Sequence, residues 1–266
     1  MKKLIQAFKA FFMILFQSKA DGAETSFAGL IADAFDNRDR VYSLGDGSTL
    51  PTTIDLTPLF GPVESQGSLN TCVGHCTTAA FEVVTKTSDR SRLFVYYNAR
   101  AFEGRTGSDA GCQLRNGVKA IATYGVSEES LWPYSSSLVL TKPSSGAYAD
   151  GVPAKALVAG YARVLDLPSL KKALSEFKPV VFGFSVPKTF LDTKTTGYLP
   201  YPVTGTTFIG SHAVVAVGYD DAKGTVLCRN SFGSGWGKAG YFEMPYQWFA
   251  NMSSLVSDAW VIIPKV

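Results

Sequence analysis

Only two histidines, His75 and His212, stand among the 266 residues, so chemistry that needs an imidazole at neutral pH must use one of them. The cysteines are Cys72, Cys76, Cys112 and Cys228. Val73, Cys76, Ala80, Val83 and Val84 recur at helical spacing, which predicts an amphipathic helix that starts at Cys72 and is capped by Asn70 or Thr71. At a helix N-terminus, unpaired N–H groups and the helix dipole favour an anion and raise the thiolate fraction of a cysteine. A thiolate nucleophile still needs a cationic partner and a proton donor. His75 is fixed on the same helix, facing away from Cys72. His212 fits better, since it begins a strand after the Gly210-Ser211 break. Asn230 opens Asn-Ser-Phe-Gly on a later strand and can orient the imidazole. Gln66, six residues before Cys72, offers an amide N–H that could meet an oxyanion beside the Cys72 backbone N–H.

Each residue alone has a plainer reading. A cysteine at a helix start is usually a small buried residue, His212 a strand histidine, and Asn230 a turn residue. Cys76 and Cys228 read as core packing, and Cys112 as a free thiol near a cleft. Cys72, His75 and Cys76 lie within five residues of one helix and do not readily close a tetrahedron, so no metal is expected. No cofactor is implied.

The elements that must hold these groups follow from periodicity and punctuation. A short helix is expected around Phe27 to Phe35, then helices over Leu93–Phe102 and Leu114–Tyr124, the latter ended by Gly125. The Pro/Ser/Gly-rich passage from Trp132 to Pro153 reads as a crossing between lobes. After a short helix near Ser169–Phe177 come strands at Val180–Val186, Ala213–Tyr219, Thr225–Cys228, Gly240–Met244 and Ala259–Ile263. Asp220–Gly224 makes a hairpin connection. Helices first and strands later give an α+β class with two lobes. Residues 51–150 are mainly helical and 151–266 mainly β.

Residues 1–20 read either as a signal peptide or as a basic amphipathic leader. Such a leader could touch a membrane surface or a partner protein through residues 1–19. Residues 21–50 read as a short pro-segment or linker. The formal charge of +3 resides in that leader: Lys2, Lys3, Lys9 and Lys19 precede the first acid, so the rest sums to −1. No basic run tracks a nucleic-acid backbone, and no nucleic-acid partner is expected.

Three ordered motifs then stand out: Gln66-Gly-Ser-Leu-Asn-Thr-Cys72, Ser211-His212-Ala-Val-Val-Ala-Val-Gly-Tyr219, and Asn230-Ser-Phe-Gly-Ser-Gly-Trp-Gly237. They resemble the signatures of papain-like (C1 family) cysteine peptidases, closest in look to compact bacterial and viral members. His212 and Asn230 lie 140 and 158 positions after Cys72, near the roughly 130–150 of this family. The likeness runs from about Pro51 to Ile263 and includes Tyr124-Gly125-Val126 and Pro133-Tyr134. It implies a two-lobed fold with the cysteine on a helical lobe, the histidine and asparagine on a β-rich, barrel-like lobe, and a cleft between. It also implies Cys72 as nucleophile, His212 as acid and base, Asn230 as orienter and Gln66 as oxyanion donor, acting on a polypeptide substrate. Ser211, Phe184, Gly183, Phe232, Trp236 and Cys112 are the residues expected to border the substrate.

Departures accompany the likeness. Leu69 replaces the usual cysteine, so the familiar disulfide with Cys112 cannot form. Val73 replaces an aromatic, Phe232 a tryptophan, and Gln113-Leu114 a Gly-Gly pair. The residues before Pro51 lack the helical signature of the family's inhibitory pro-domains. These changes leave room for an inactive papain-fold binding or structural protein, with a docked leader and an unreactive Cys72. A ligase or transferase would use the same acyl-enzyme. The missing disulfide argues for a reducing compartment and the leader for export, so location stays open.

Overall fold

The structure, a computed structural model, describes residues 27–45, 49–250, 252 and 254–265; the leader readings for residues 1–20 lie outside these. The first half holds β1 (Leu30–Ile31), β2 (Val41–Tyr42), β3 (Thr53–Asp55), α1 (Cys72–Thr85), α2 (Arg92–Ala101), β4 (Cys112–Gln113), α3 (Leu114–Tyr124) and α4 (Ser145–Lys155). The second holds β5 (Val158–Val164), α5 (Leu167–Ser175), β6 (Val180–Pro187), α6 (Phe190–Thr196), β7 (Phe208–Asp220), β8 (Thr225–Arg229), β9 (Tyr241–Pro245) and β10 (Val256–Pro264). Seven strands run in the order β2-β5-β10-β6-β7-β8-β9, with β3 paired to β7. All neighbours are antiparallel except β2 and β5. Among the described residues, no helix is long and apolar enough to cross a membrane.

Two cores flank this sheet, and strand alternation assigns residues to them. On β7, Ala213, Val215 and Val217 pack against the helices, while Val214 and Ala216 enter the core of the β lobe. On β6, Val181 faces the helices, and Val180, Phe182 and Phe184 face the other way. The arrangement is α+β with two lobes, and α1 lies between the other helices and β7. That central position explains why α1 is buried on nearly every side, from Cys72 to Phe81, rather than along the single apolar stripe expected.

Two local expectations are corrected. Residues 27–35 form no helix: Phe27 and Gly29 give their carbonyls to Ser211 N–H (2.8 Å) and Cys112 N–H (3.2 Å), and β1 pairs in parallel with β4. The passage from Trp132 to Pro153 runs into α4, which continues through Pro153 to Lys155. Its glycines read as helix breakers, but Gly151 is needed where α4 crosses the end of α3, and Ser144 caps the helix through Ala147 N–H. Strand β5 and helix α6 were not anticipated from the sequence pattern.

Gly125 illustrates how closely α3 and α4 meet. Its φ is +73°, and a Cβ there would lie 1.8 Å from the Gly151 carbonyl oxygen. Left-handed strain and a clash with rigid backbone add up to roughly 3 kcal/mol for Gly125→Ala. In a domain of this size that lowers Tm by about 6–12 °C, measurable by thermal unfolding. An unchanged Tm would mean the two helices separate freely.

Candidate active site

Cys72 is the first residue of α1 and is 1 % exposed. Thr71 occupies the cap position, yet its side chain makes no capping bond. Its hydroxyl meets Tyr134 Oη at 2.6 Å instead. The first-turn N–H groups thus stay directed at the sulfur. Burial pushes the Cys72 thiol up to about 12, opposed by the backbone amides of Ala213, Val73 and Cys72. Ala213 follows His212 on β7, so this contact spans the two lobes.

His212, also 1 % exposed, donates from Nε2 to Asn230 Oδ1 at 2.8 Å. Ser231 N–H donates to the same oxygen, also at 2.8 Å. Two donors on one atom fix the orientation of the amide, and hence the imidazole tautomer with a lone pair on Nδ1. Burial lowers the pKa of His212 to about 4, while the Asn230 bond acts in the other direction. Phe232 stacks on the imidazole with centroids 4.9 Å apart and planes at 24°. Trp236 meets Phe232 edge-on at 5.7 Å. The His–Asn bond is therefore shielded from water by aromatic rings, which strengthens it.

Gln66 is placed by residues that sequence reasoning had not singled out for a role. Its Oε1 accepts from Ser231 Oγ at 2.6 Å, and its backbone N–H donates to Ser231 O at 2.8 Å. Nε2 donates one hydrogen to Leu69 O at 2.8 Å, which leaves the second free. Tyr134 Oη donates to the Gln66 carbonyl at 2.8 Å. The position of Ser231 directly after Asn230 was the available signal. A strand end that orients the imidazole with one residue can hold Gln66 with the next.

Residues 27–31 of the chain lie across this site. A Cβ on Gly29 would fall 2.7 Å from Cys72 Sγ and 2.8 Å from the Asn70 carbonyl oxygen. Ser211 Oγ donates to Leu30 O at 2.8 Å, and the Leu30 side chain fills the space above Gly183, where a Cβ would lie 2.3 Å from it. Phe27 packs edge-on to His212 at 6.1 Å. Of the six residues expected to border a substrate, Ser211, Gly183 and Cys112 touch this segment's backbone or leucine. Phe232 stacks on the imidazole, and Trp236 packs behind Phe232. Phe184 is the correction: on β6 it points opposite to Gly183, into the β-lobe core behind His212 (6.0 Å), and lines no cleft.

Farther along, the segment is anchored by charge. The side chain of Asp33 accepts from Trp260 Nε1 (2.8 Å), Arg163 (3.2 Å) and Arg115 N–H (3.0 Å), and its backbone N–H donates to Asp258 (2.9 Å). Burial, then the neighbouring Asp258, raises its pKa to about 6. Among the described residues, no group of three or more His, Cys, Asp or Glu is placed to hold a metal ion.

Residues 50–260 match the papain family cysteine protease profile. A peptidase C1-like protein of Acanthamoeba polyphaga mimivirus is 37 % identical over 214 residues, 74 % of this chain and 68 % of that protein. The chain belongs to the papain family of cysteine proteases. Xylellain, a cysteine protease from Xylella fastidiosa, superposes with a TM-score of 0.84 at 34 % identity, covering 94 % of this chain and all of the other. Mouse pro-cathepsin H is 29 % identical over 217 residues, which span 62 % of its length. Bromelain from Ananas comosus shares the fold at a TM-score of 0.64 and 22 % identity, over 81 % of this chain and all of that one. Against the family pattern, all four cysteines here are free and buried, and Phe232 performs the stacking expected of the usual tryptophan.

Proposed function

We propose that the protein is a cysteine endopeptidase in which Cys72 attacks the peptide carbonyl and residues 27–31 hold the site covered until displaced. The observation that carries this reading is the His212 Nε2–Asn230 Oδ1 bond, which leaves the Nδ1 lone pair for the thiol at the start of α1. The Cys72 proton passes to Nδ1, and the sulfur adds to the scissile carbonyl carbon. The oxyanion takes hydrogen bonds from the Cys72 N–H and the free Gln66 Nε2–H. His212 then gives the proton to the leaving amine, and water, deprotonated by the same nitrogen, releases the acid from the thioester.

The covering segment supports latency rather than a dead cleft. It is held by hydrogen bonds to Ser211 and Cys112, by the short β1–β4 pairing and by the buried Leu30, with no covalent link; each hydrogen bond is worth about 0.5–1.5 kcal/mol and the leucine about 1.5–3 kcal/mol. The same acyl-enzyme could be intercepted by an amine. A denatured protein substrate is therefore incubated with the Gly29→Val variant, with and without added amine, and the new termini are read by mass spectrometry. Free carboxylates in both reactions support hydrolysis. Amine-capped termini as the main product would replace it with transfer, and intact substrate would overturn the reading.

A further inference from the structure

His75, set aside as a base because it shares a helix with Cys72, sits in a revealing place. It is 4 % exposed, and its Nδ1–H donates to the Thr71 carbonyl at 3.1 Å and lies 3.3 Å from Thr71 Oγ1. The Thr71 hydroxyl meets Tyr134 Oη, which in turn donates to the Gln66 carbonyl. With Nδ1 protonated, Nε2 carries the lone pair. That lone pair is buried and accepts from no described residue.

A matching donor is close by. Asn230 uses Oδ1 for His212 and Ser231, while its buried Nδ2 donates to no described residue. His75 and Asn230 line one small cavity behind the catalytic groups, about 10 Å³, the size that admits a single water. Buried polar groups are rarely left unmatched, and the two residues that carry this donor and this acceptor line one cavity. The other charged groups on this cavity are Glu64 and Arg229. Glu64 is paired with Arg92, and Arg229 donates to the carbonyls of Gly61 and Pro62.

Resting on the cysteine-peptidase reading, we infer that His75 is a positioning residue: its Nε2 accepts the Asn230 Nδ2–H through one water in this cavity. The helix that carries the nucleophile thereby sets the angle of the amide that orients His212. One imidazole joins the Gln66 side of the site, through Thr71 and Tyr134, to the His212–Asn230 side. Burial lowers the pKa of His75 to about 3, with Arg92, Arg229 and His212 adding to the effect, so the ring stays neutral and remains an acceptor at any working pH. Partners that orient a metal-bound histidine from behind commonly cost roughly 10–100-fold when removed, and the lower end of that range is expected where the link runs through an amide and a water.

The test uses the full chain in the Gly29→Val background, with His75→Phe and His75→Gln. The phenylalanine keeps the bulk and loses the acceptor, whereas glutamine can return an amide oxygen near Nε2. Expected results for His75→Phe are a roughly tenfold lower kcat, KM within twofold, and onset of Cys72 alkylation about one pH unit higher. His75→Gln should recover kcat to within about threefold. Unchanged kcat and alkylation profile in a folded His75→Phe would overturn the proposal. So would a larger effect of Glu64→Gln, which would make Glu64 the partner of Asn230. An arm independent of those variants is ¹⁵N NMR of the two ring-labelled histidines in the unsubstituted chain. His75 is expected as the Nδ1–H tautomer, with its Nε2 signal shifted by Asn230→Ala; an unmoved signal overturns the link. If Cys72 in Gly29→Val reacts no faster than an ordinary thiol, the peptidase reading fails, while the NMR arm still decides the link between His75 and Asn230.

Discussion

Gly29→Val in the full chain is expected to raise the alkylation rate of Cys72 at pH 7 by roughly 10–100-fold. The added Cβ would lie 2.7 Å from Sγ and 2.8 Å from the Asn70 carbonyl oxygen. The sulfur can swing aside, but that oxygen belongs to the turn that starts α1 and cannot. Overpacking of this kind costs about 1–3 kcal/mol, which shifts the covered-to-open ratio by roughly 5–150-fold. Each interaction that holds the segment is of similar size, so the substitution offsets one or two of them and raises the open fraction while the others remain. In the covered protein, burial keeps the thiol protonated up to about 12 and the His212 imidazole neutral down to about 4. Between those limits neither group is charged. Opening restores water to both, and the thiol proton can move to Nδ1. Alkylation in the variant should then set in below the ordinary thiol pKa of about 8.5. Adding His212→Ala should return the onset to that ordinary value. Reactivity identical to the unsubstituted chain, with residues 27–31 still protected from hydrogen exchange, would show that the segment does not control access.

Cys72→Ala in that opened background is expected to abolish peptide cleavage, a loss of at least about 10³-fold, while leaving Tm within a few degrees. Loss of a nucleophile removes the covalent route altogether, and what remains is the modest effect of oxyanion donors and binding. One buried sulfur contributes little to stability by comparison. The contrast between a large kinetic loss and a small thermal one separates a chemical role from a packing role. Residual cleavage close to the parent rate would assign the activity to another group and sink the Cys72 mechanism.

The residues proposed to carry the chemistry are tied to local signals in the sequence. Cys72 opens α1 after a turn, His212 and Asn230 stand in strand contexts with glycine punctuation, and Gln66 sits at a short fixed distance from Cys72. Helices α1, α2 and α3 were visible through their apolar spacing and the stop at Gly125. The failures share a cause. Helix α4 hides behind Gly146, Gly151 and Pro153, because small residues that permit close packing on α3 look like breakers in isolation. Residues 27–35 look helical by composition, yet their hydrogen-bond partners, among them Ser211, Cys112, Arg163 and Trp260, are far away in sequence. Phe184 and Gly183 are adjacent on β6, and strand alternation turns Phe184 into the core while Gly183 faces the covering segment.

By itself, the sequence determined the α+β class, the order of the chemical groups along the chain and the local elements that carry them, since these depend on spacing and on side-chain type. Three things depended on residues from about forty to more than a hundred and fifty positions apart, and the tertiary structure decided them. Ser231 meets Gln66 and fixes its amide. His75 and Asn230 share a cavity. The chain's own Gly29 and Leu30 cover Cys72, because β6 offers Gly183, with no side chain, where the leucine must fit. No periodicity encodes such contacts. They arise only when the sheet brings its strands into register and two lobes close on one another.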